Sequence, residues 1–556
     1  MISSHFEAMV TTLLPAEEFI LFRRSDLTNL PAHTQDRFLT HAEKALRSGL
    51  NMPALADWLA GPAQYDSLRA QNRRDLAALC LGEAVRQNGR YLASAAQLLF
   101  AILCEPSWNR AGRRAVPAMQ AAPDAFAAET AELIAWAALL LDRDADEYAI
   151  GLRESAYQAC EERVLRYLDD PAVCEAALRR TDAPVFARAT AAACLFTPQN
   201  ESVRWLRLKN ALRIADRCAS GGWFQSAFAR EGLRGWIESA CAVSDAVLLA
   251  DLACAGQSGL RSDESLIAEM RLPVQLHIDG EYFADEKSHL RPGLSGEDLY
   301  RIGATFDDDA LCSLGARLDR AAISRGDMAA GSIQNNITAC MLSALWRPSL
   351  ENDPGNMSAE PTAQMQSLSF YAARPHGGKG FYTALVSGAL VLFLDGEPVL
   401  TLADQGAEGR SLPEPDLKMQ SRPSVRDISL RTDGFPTISM DIAPSFPLDA
   451  SLASWQRTVM LTNHDQTVRL LDAFDYAGTR KISRLRFVSP HMPVVAVGAP
   501  RARIGTANIE WDGPTNASIE QIDEKHWALI LAKGDMAAGG CWTCTFTRSE
   551  SIKEHA

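Results

Sequence analysis

The spacing of apolar residues changes once along this chain, and the change divides the sequence into a helical part and a strand part. From about Pro15 to Leu345 the apolar residues recur at helical spacing among Ala, Leu, Arg and Glu. After a stretch rich in Pro, Gly and Asn, short β-branched runs continue toward the end of the chain. The sequence therefore predicts about a dozen helices in a domain at 1–345, a linker at 346–368 and an all-β domain at 369–556.

The all-β domain is predicted to be an antiparallel β-sandwich. Its strand-forming runs are separated by turn residues at intervals typical of that fold. The predicted strands are Ala389 to Leu394, Thr458 to Leu461, Thr467 to Leu471, Ile482 to Val488, Val494 to Val497, Trp527 to Leu531 and Trp542 to Thr547. Between the second and third of these, Asn463-His464-Asp465 predicts a hairpin turn.

The charge of the chain limits its partners. A formal net charge of −14 argues against nucleic acid, because phosphate binding needs a basic surface. No run approaches the roughly 20 apolar residues of a membrane span, and Glu17 and Glu18 follow the first apolar stretch too early for a secretory signal. We therefore expect a cytoplasmic protein that binds no membrane. A cleft for an acidic glycan would have to be locally basic, and the candidates for it are Arg110, Arg113, Arg114, Arg204, Arg207, Lys209 and Arg374.

The cysteines predict packing rather than disulfides or metal binding. All but the last two are scattered through apolar helical patterns, as expected for reduced core residues. Cys541 and Cys544 form a Cys-x-x-Cys within a strand pattern. Residues three apart on a strand point to opposite faces, so these two thiols are not expected to share a metal.

The most specific motif of the chain lies between Phe370 and Gly406. It begins Phe-Tyr-Ala-Ala-Arg-Pro-His-Gly-Gly-Lys-Gly-Phe-Tyr-Thr-Ala-Leu-Val-Ser-Gly, continues through a strand into Asp395-Gly-Glu-Pro, and ends in Ala-Asp-Gln-Gly. This run resembles the signature segment of the heparinase II/III-like family of polysaccharide lyases. Earlier segments resemble the same family in the same order, namely Asn88 to Leu92, Glu105 to Asn109, Pro273 to Phe283 and Ile302 to Thr305. The resemblance implies an α+β multidomain fold, with an N-terminal (α/α) toroid followed by a C-terminal antiparallel β-sandwich.

The chain departs from the family at the positions that carry its chemistry. The family's His-x-His pair and the Asp two residues beyond it align with Tyr382, Ala384 and Val386. A zinc site built from the family's positions would retain only Asp404, and one carboxylate does not hold zinc. We therefore expect no metal and no cofactor.

Three polar residues near the signature are candidates for an elimination reaction. A uronate lyase must neutralise a carboxylate, remove the C5 proton and protonate the leaving oxygen. Tyr382 and His376 are candidates for the two proton transfers, and Arg374 is a candidate for binding the carboxylate. Each also has a plainer interpretation, as a strand aromatic, a turn residue and an ion-pair partner, respectively.

Five residues of the helical part are candidates for a saccharide groove, because sugar rings stack on aromatic faces and amides hydrogen-bond to hydroxyls. They are Trp108, Asn109, Trp223, Gln225 and Trp236. Trp at helical spacing is more often part of a core, since its large apolar area favours burial.

Two functional hypotheses follow from these patterns. In the first, the chain is a divergent lyase that acts by β-elimination on uronic-acid-containing glycans or oligosaccharides. In the second, it is a catalytically inactive protein with the lyase fold that binds a saccharide or a protein partner. The family resemblance favours the first, and the missing His-x-His pair favours the second.

Overall fold

The computed structural model describes residues 28, 30–50, 53, 57, 61–111, 122–140, 147–220, 223–256, 258–285, 290–325, 336–355, 362–365, 370–374, 379–402, 424–430, 436–445, 452–462, 466–476, 484–512, 515–533 and 539–549. The chain forms two compact units. The first comprises Met1–Phe228, Gly235–Arg271 and Leu294–Met357, and the second comprises Ala229–Arg234, Leu272–Gly293 and Ser358–Ala556.

The described part of the chain before the predicted β domain is mostly helical, as its apolar spacing predicted, but it also contains short strands at 277–283 and 362–365 that were not predicted. The helices in the described residues are α1 Ala32–Ser48, α2 Pro62–Arg86, α3 Leu92–Leu103, α4 Ala125–Leu140, α5 Glu147–Arg163, α6 Pro171–Ala177, α7 Ala183–Phe196, α8 Glu201–Ser220, α9 Trp223–Glu231, α10 Leu233–Ala253, α11 Glu264–Met270, α12 Leu272–Leu276, α13 Gly296–Phe306, α14 Asp309–Ser324 and α15 Ile337–Asn352. None of these helices is both long and apolar enough to cross a bilayer.

Local chemistry explains where several helices begin and how closely they pack. The side chains of Ser295, Asp308 and Asn336 accept hydrogen bonds from backbone N–H groups in the first turns of α13, α14 and α15, respectively. Where α13 meets α14, a Cβ atom on Gly296 would lie 2.4 Å from the carbonyl oxygen of Gly315. Glycine is therefore needed for this close helix contact.

The strands form four antiparallel sheets in the described residues. The strands are β1 His277–Asp279, β2 Tyr282–Phe283, β3 Thr362–Met365, β4 Phe370–Ala373, β5 Phe381–Val386, β6 Ala389–Leu394, β7 Glu397–Leu400, β8 Ser424–Leu430, β9 Pro436–Asp441, β10 Leu452–Thr462, β11 Thr467–Tyr476, β12 Arg484–Ser489, β13 Val494–Val495, β14 Arg501–Ile504, β15 Ala507–Trp511, β16 Thr515–Gln521, β17 Trp527–Lys533 and β18 Gly539–Arg548. Each predicted strand overlaps one of these.

The order of the strands gives one two-stranded sheet, β1-β2, and three larger sheets. These are the five-stranded sheet β3-β4-β5-β6-β7, the eight-stranded sheet β13-β14-β15-β18-β11-β10-β9-β8 and the three-stranded sheet β12-β17-β16. The larger sheets share one apolar core, to which they contribute residues such as Leu385, Val459 and Leu529. On β18, Cys541 is exposed and Cys544 is buried, so these two thiols lie on opposite faces as predicted.

Two tight turns shape the five-stranded sheet. Ser387 and Gly388 have φ angles of 48° and 83° at the β5–β6 turn, and Asp395 and Gly396 have φ angles of 52° and 84° at the β6–β7 turn. Positive φ at both central residues is typical of type I′ hairpin turns. The Asp-Gly of the signature segment thus has a structural role in closing a hairpin.

The structure differs from the predicted domain bounds in two ways. Helix α15 continues through Pro348 to Asn352, whereas the Pro- and Asn-rich composition predicted a linker from 346. Burial of Leu350 against Tyr300 supports the helix beyond its proline. The second difference is that segments 229–234 and 272–293, predicted within the helical domain, belong to the compact unit that contains the sheets.

Candidate functional site

The face of β5 that aligns with the family's His-x-His pair is apolar and buried. Tyr382, Ala384 and Val386 alternate along the strand and therefore share one face. Their exposed fractions are 4%, 0% and 3%. On β6 they lie opposite Phe393, Val391 and Ala389, respectively. The other face of β5 contributes to the core between the sheets, so both faces of this strand are packed.

Residues of the β1–β2 hairpin contact this same region within the second unit. The ring of Tyr282 lies 5.0 Å from that of Phe393 in an edge-to-face arrangement. A Cβ atom on Gly396 would lie 2.3 Å from Oδ2 of Asp279, so the hairpin also approaches the β6–β7 turn closely. Strand β6, which pairs with β5, and the β6–β7 turn are thus packed against the β1–β2 hairpin.

The hydroxyl of Tyr382 is buried and has no hydrogen-bond partner among the described residues. Burial raises the pKa of Tyr382 to about 12, although the positive charge of Arg374 acts in the opposite direction. The phenol is therefore protonated at neutral pH, and the shift is opposite to the one that a tyrosine base requires.

The guanidinium of Arg374 is bonded to backbone carbonyls. Its Nη2 donates to the carbonyl oxygens of Gln275 at 2.7 Å and His277 at 3.0 Å, and more weakly to that of Val274 at 3.3 Å. The side chain is 7% exposed. These bonds tie β4 to the segment that leads into β1. His376 and Asp404 lie outside the described residues.

The Glu105 to Asn109 segment is fixed by a buried ion network in the first unit. Arg69 donates through Nε to Glu105 at 2.9 Å, and Arg73 donates through both Nη atoms at 3.0 and 2.8 Å. Burial alone would raise the pKa of Glu105, but the charges and hydrogen bonds of Arg73 and Arg69 outweigh it and lower that pKa. Arg69 also donates to the backbone carbonyls of Ser107 and Asn109.

Of the proposed groove residues in this segment, Trp108 is buried and Asn109 is partly exposed. Trp108 is 2% exposed, and its indole N–H donates to the carbonyl of Ile102 at 3.0 Å. Asn109 accepts from the backbone N–H of Asp124 at 2.9 Å and donates to the carbonyl of Ala122 at 3.2 Å. The side-chain amide of Asn109 therefore stabilises the segment that leads into α4.

The remaining groove candidates differ in exposure. Trp236 is fully buried on α10, with its ring 6.4 Å from that of Phe224. Trp223 is partly exposed at the start of α9. Gln225 lies in the first turns of α9, and its side chain is outside the described part of the structure.

A buried charged cluster of the first unit does not belong to any of the motifs found in the sequence. Glu129 and Glu132 on α4 both pair with Arg188 on α7, at 3.1 and 2.9 Å, respectively. Asp245 on α10 lies 3.2 Å from Arg301 on α13. Burial raises the pKa of Glu132 to about 7 and also raises the pKa values of Glu129 and Asp245. Two acidic residues inside the otherwise apolar α4 were the signal that could have revealed it.

Among the described residues, no group of three or more His, Cys, Asp and Glu side chains has the arrangement of a metal site. Among the basic residues proposed for a cleft, Arg207 already forms ion pairs within the protein. Arg207 bonds to Glu161 and Asp169, with separations of 2.5 and 2.7 Å. Arg110 is exposed, and Arg113 and Arg114 lie outside the described residues.

No protein-family model matches the chain, and no curated protein matches its sequence. Solved structures of polysaccharide lyases are similar to it in fold. A mutant heparan sulfate lyase of Pedobacter heparinus has a TM-score of 0.54 and 12% identity, over 87% of this chain and 77% of that one. A heparinase III gene product has a TM-score of 0.56 and 10% identity, over 99% of this chain and 88% of that one.

A xanthan lyase of Paenibacillus is also similar, with a TM-score of 0.51 and 11% identity. The match covers 99% of this chain but 59% of the xanthan lyase. At these identities the likeness shows the fold alone. A helical part followed by antiparallel sheets is thus shared with polysaccharide lyases.

Proposed function

We propose that this chain binds a saccharide on a polysaccharide-lyase fold and does not catalyse β-elimination through the face of β5. The observation that carries the proposal is the burial of Tyr382, Ala384 and Val386, the residues that align with the family's catalytic positions. An elimination needs an acid, a base and a carboxylate partner within reach of the substrate. A buried phenol with a pKa of about 12 and a guanidinium bonded to carbonyls do not provide them.

The saccharide part of the proposal rests on the fold. We propose that the helices of the first unit close into an (α/α) toroid, that 1–345 and 369–556 approximate its two domains, and that a saccharide lies in a groove of the toroid. Because they are partly exposed, Asn109 and Trp223 could contact the saccharide. Gln225, whose side chain is not described, remains a third proposed contact. Burial of Trp108 and Trp236 favours a packing role for those two residues.

Thermal unfolding with a panel of neutral and uronate oligosaccharides tests the binding proposal. A ligand at about 100 times its Kd stabilises the folded protein by about 2.7 kcal/mol. We expect one class of saccharide to raise the Tm, to be recovered with unchanged chain length, and to lose its effect in Trp223→Ala. Trp205→Ala is a control because Trp205 is also partly buried but lies on α8. Failure of every saccharide to shift the Tm would refute the proposal.

The second candidate is a divergent lyase that acts by β-elimination on uronic-acid-containing glycans, with Tyr382, His376 and Arg374 as its reacting groups. The likeness to three lyase structures over 87–99% of this chain supports it. Shortened uronate chains after incubation, absent with Tyr382→Phe, would favour this candidate over the first.

A further inference from the structure

A buried polar cluster joins three helices of the first unit through Glu132. Its Oε1 accepts hydrogen bonds from Arg188 on α7 and from the hydroxyl of Thr338 on α15. The same hydroxyl accepts from the indole N–H of Trp136, at 2.9 Å. Glu132 and Thr338 are both 0% exposed. Glu132 thus links α4 to both α7 and α15 through hydrogen bonds.

The second oxygen of Glu132 has a different environment. Oε2 is buried and has no hydrogen-bond partner among the described residues. A carboxylate oxygen left in this state would carry an uncompensated share of negative charge in a poorly solvating medium. A proton on Oε2 would remove that charge and leave Oε1 free to accept both of its bonds.

The surrounding charges also favour a proton. Glu129 shares Arg188 with Glu132, and Asp245 adds a further negative charge that disfavours ionisation of Glu132. The second cation, Arg301, is engaged by Asp245 and by Asp298, each at 3.2 Å. The carboxyl groups in this cluster therefore outnumber the guanidinium groups that pair with them.

We propose that Glu132 holds a proton on Oε2 in the folded protein at mildly acidic pH, and that the contact of α4 with α7 and α15 weakens when this proton is lost toward alkaline pH. The groups facing the carboxyl are Arg188 from α7, Glu129 from α4, Thr338 from α15 and Asp245 from α10. The first unit thereby contains a pH-sensitive contact among its helices.

The direction of the pH effect follows from proton linkage. The pKa of Glu132 is raised from 4.5 to about 7, so between these values the unfolded chain releases a proton that the folded chain keeps. The stability supplied by this group therefore falls as pH rises from about 4.5 to about 7 and is constant above that range.

Glu132→Gln tests the proposal because glutamine resembles the protonated acid and cannot ionise. We expect the variant's Tm to match that of the wild type near pH 4.5, to exceed it increasingly up to about pH 7, and to keep that advantage at higher pH. Glu154→Gln, at an exposed position of α5, should show no such trend. A Tm difference that does not change with pH would overturn the proposal.

Infrared spectroscopy of the wild type tests the same proton without relying on a variant that folds. The difference spectrum between pH 6 and pH 8.5 should show loss of the carbonyl stretch of a protonated carboxyl group. Absence of that band at pH 6 would refute the proposal.

A calcium- or magnesium-dependent rise in Tm at pH 8, lost in Glu132→Gln, would also overturn it by showing that the cluster binds a cation instead.

Discussion

Tyr382 and Phe393 face each other across neighbouring strands, with ring centroids 6.4 Å apart and ring planes at 89°. This edge-to-face contact lies at the position that the sequence resemblance aligns with the first histidine of the His-x-His pair. The tyrosine hydroxyl adds no hydrogen bond among the described residues. Packing of the ring therefore accounts for the contacts of this side chain.

Tyr382→Phe should leave stability nearly unchanged. The substitution keeps the ring contact and removes a buried hydroxyl without a described partner, so we expect a change in unfolding free energy within about 1 kcal/mol. Tyr91→Phe is the matched control, because the Tyr91 hydroxyl donates to Glu43 at 2.8 Å, and it should be the more destabilising substitution. Urea denaturation measures both, and a large loss in Tyr382→Phe would reveal a hydrogen bond made by this hydroxyl.

Trp108→Ala should destabilise the protein by about 3–5 kcal/mol, because it would leave a cavity where a fully packed indole lies. Trp223→Ala should have a smaller effect, since Trp223 is only partly buried. Chemical denaturation of the two variants distinguishes a core residue from a ligand platform. Loss of saccharide binding without loss of stability in Trp108→Ala would contradict the packing role.

Gly396→Ala should be more destabilising than Gly498→Ala. Both glycines have positive φ, at 84° and 75°, which disfavours alanine by about 1–2 kcal/mol. A new Cβ would meet Asp279 at position 396 and open space at position 498. The difference between the two denaturation midpoints therefore reports the close approach of the β1–β2 hairpin. Equal midpoints would argue against that approach.

Arg457→Ala should be among the most destabilising substitutions in the sheets. Arg457 and Asp472 are fully buried and form two hydrogen bonds of 2.8 Å. Removal of the arginine would leave a buried carboxylate unpaired, at a cost of about 3–5 kcal/mol. Arg469→Ala, at an exposed position of β11, should change stability by about 0.5 kcal/mol or less. Similar losses in both variants, measured by calorimetry, would contradict this account.

Seven of the strands and the helical character of the first part of the chain could be predicted because their signals are local. Alternating or helically spaced apolar residues identified β6, β10, β11 and β18 directly. The end of α15 was not predictable in this way, since its last turns are supported by Leu350 packing against Tyr300, which is distant in sequence.

The environments of the candidate site residues could not be predicted from local patterns either, because they too depend on residues distant in sequence. Arg374 bonds to carbonyls about a hundred residues earlier, and Tyr382 is buried through contacts that its own strand does not specify. The cluster around Glu132 likewise needs groups from α7, α10 and α15. The residues matching the lyase signature, such as Asp395 and Gly396, have turn roles that the sequence alone could indicate.

Ultraviolet absorbance during incubation with heparan, chondroitin, hyaluronan and alginate tests the central claim most directly. Each β-elimination event would create a conjugated unsaturated uronate that absorbs. The account predicts a flat signal with all four glycans for the folded protein. A rising signal that disappears in Tyr382→Phe would contradict it and establish an elimination that depends on Tyr382.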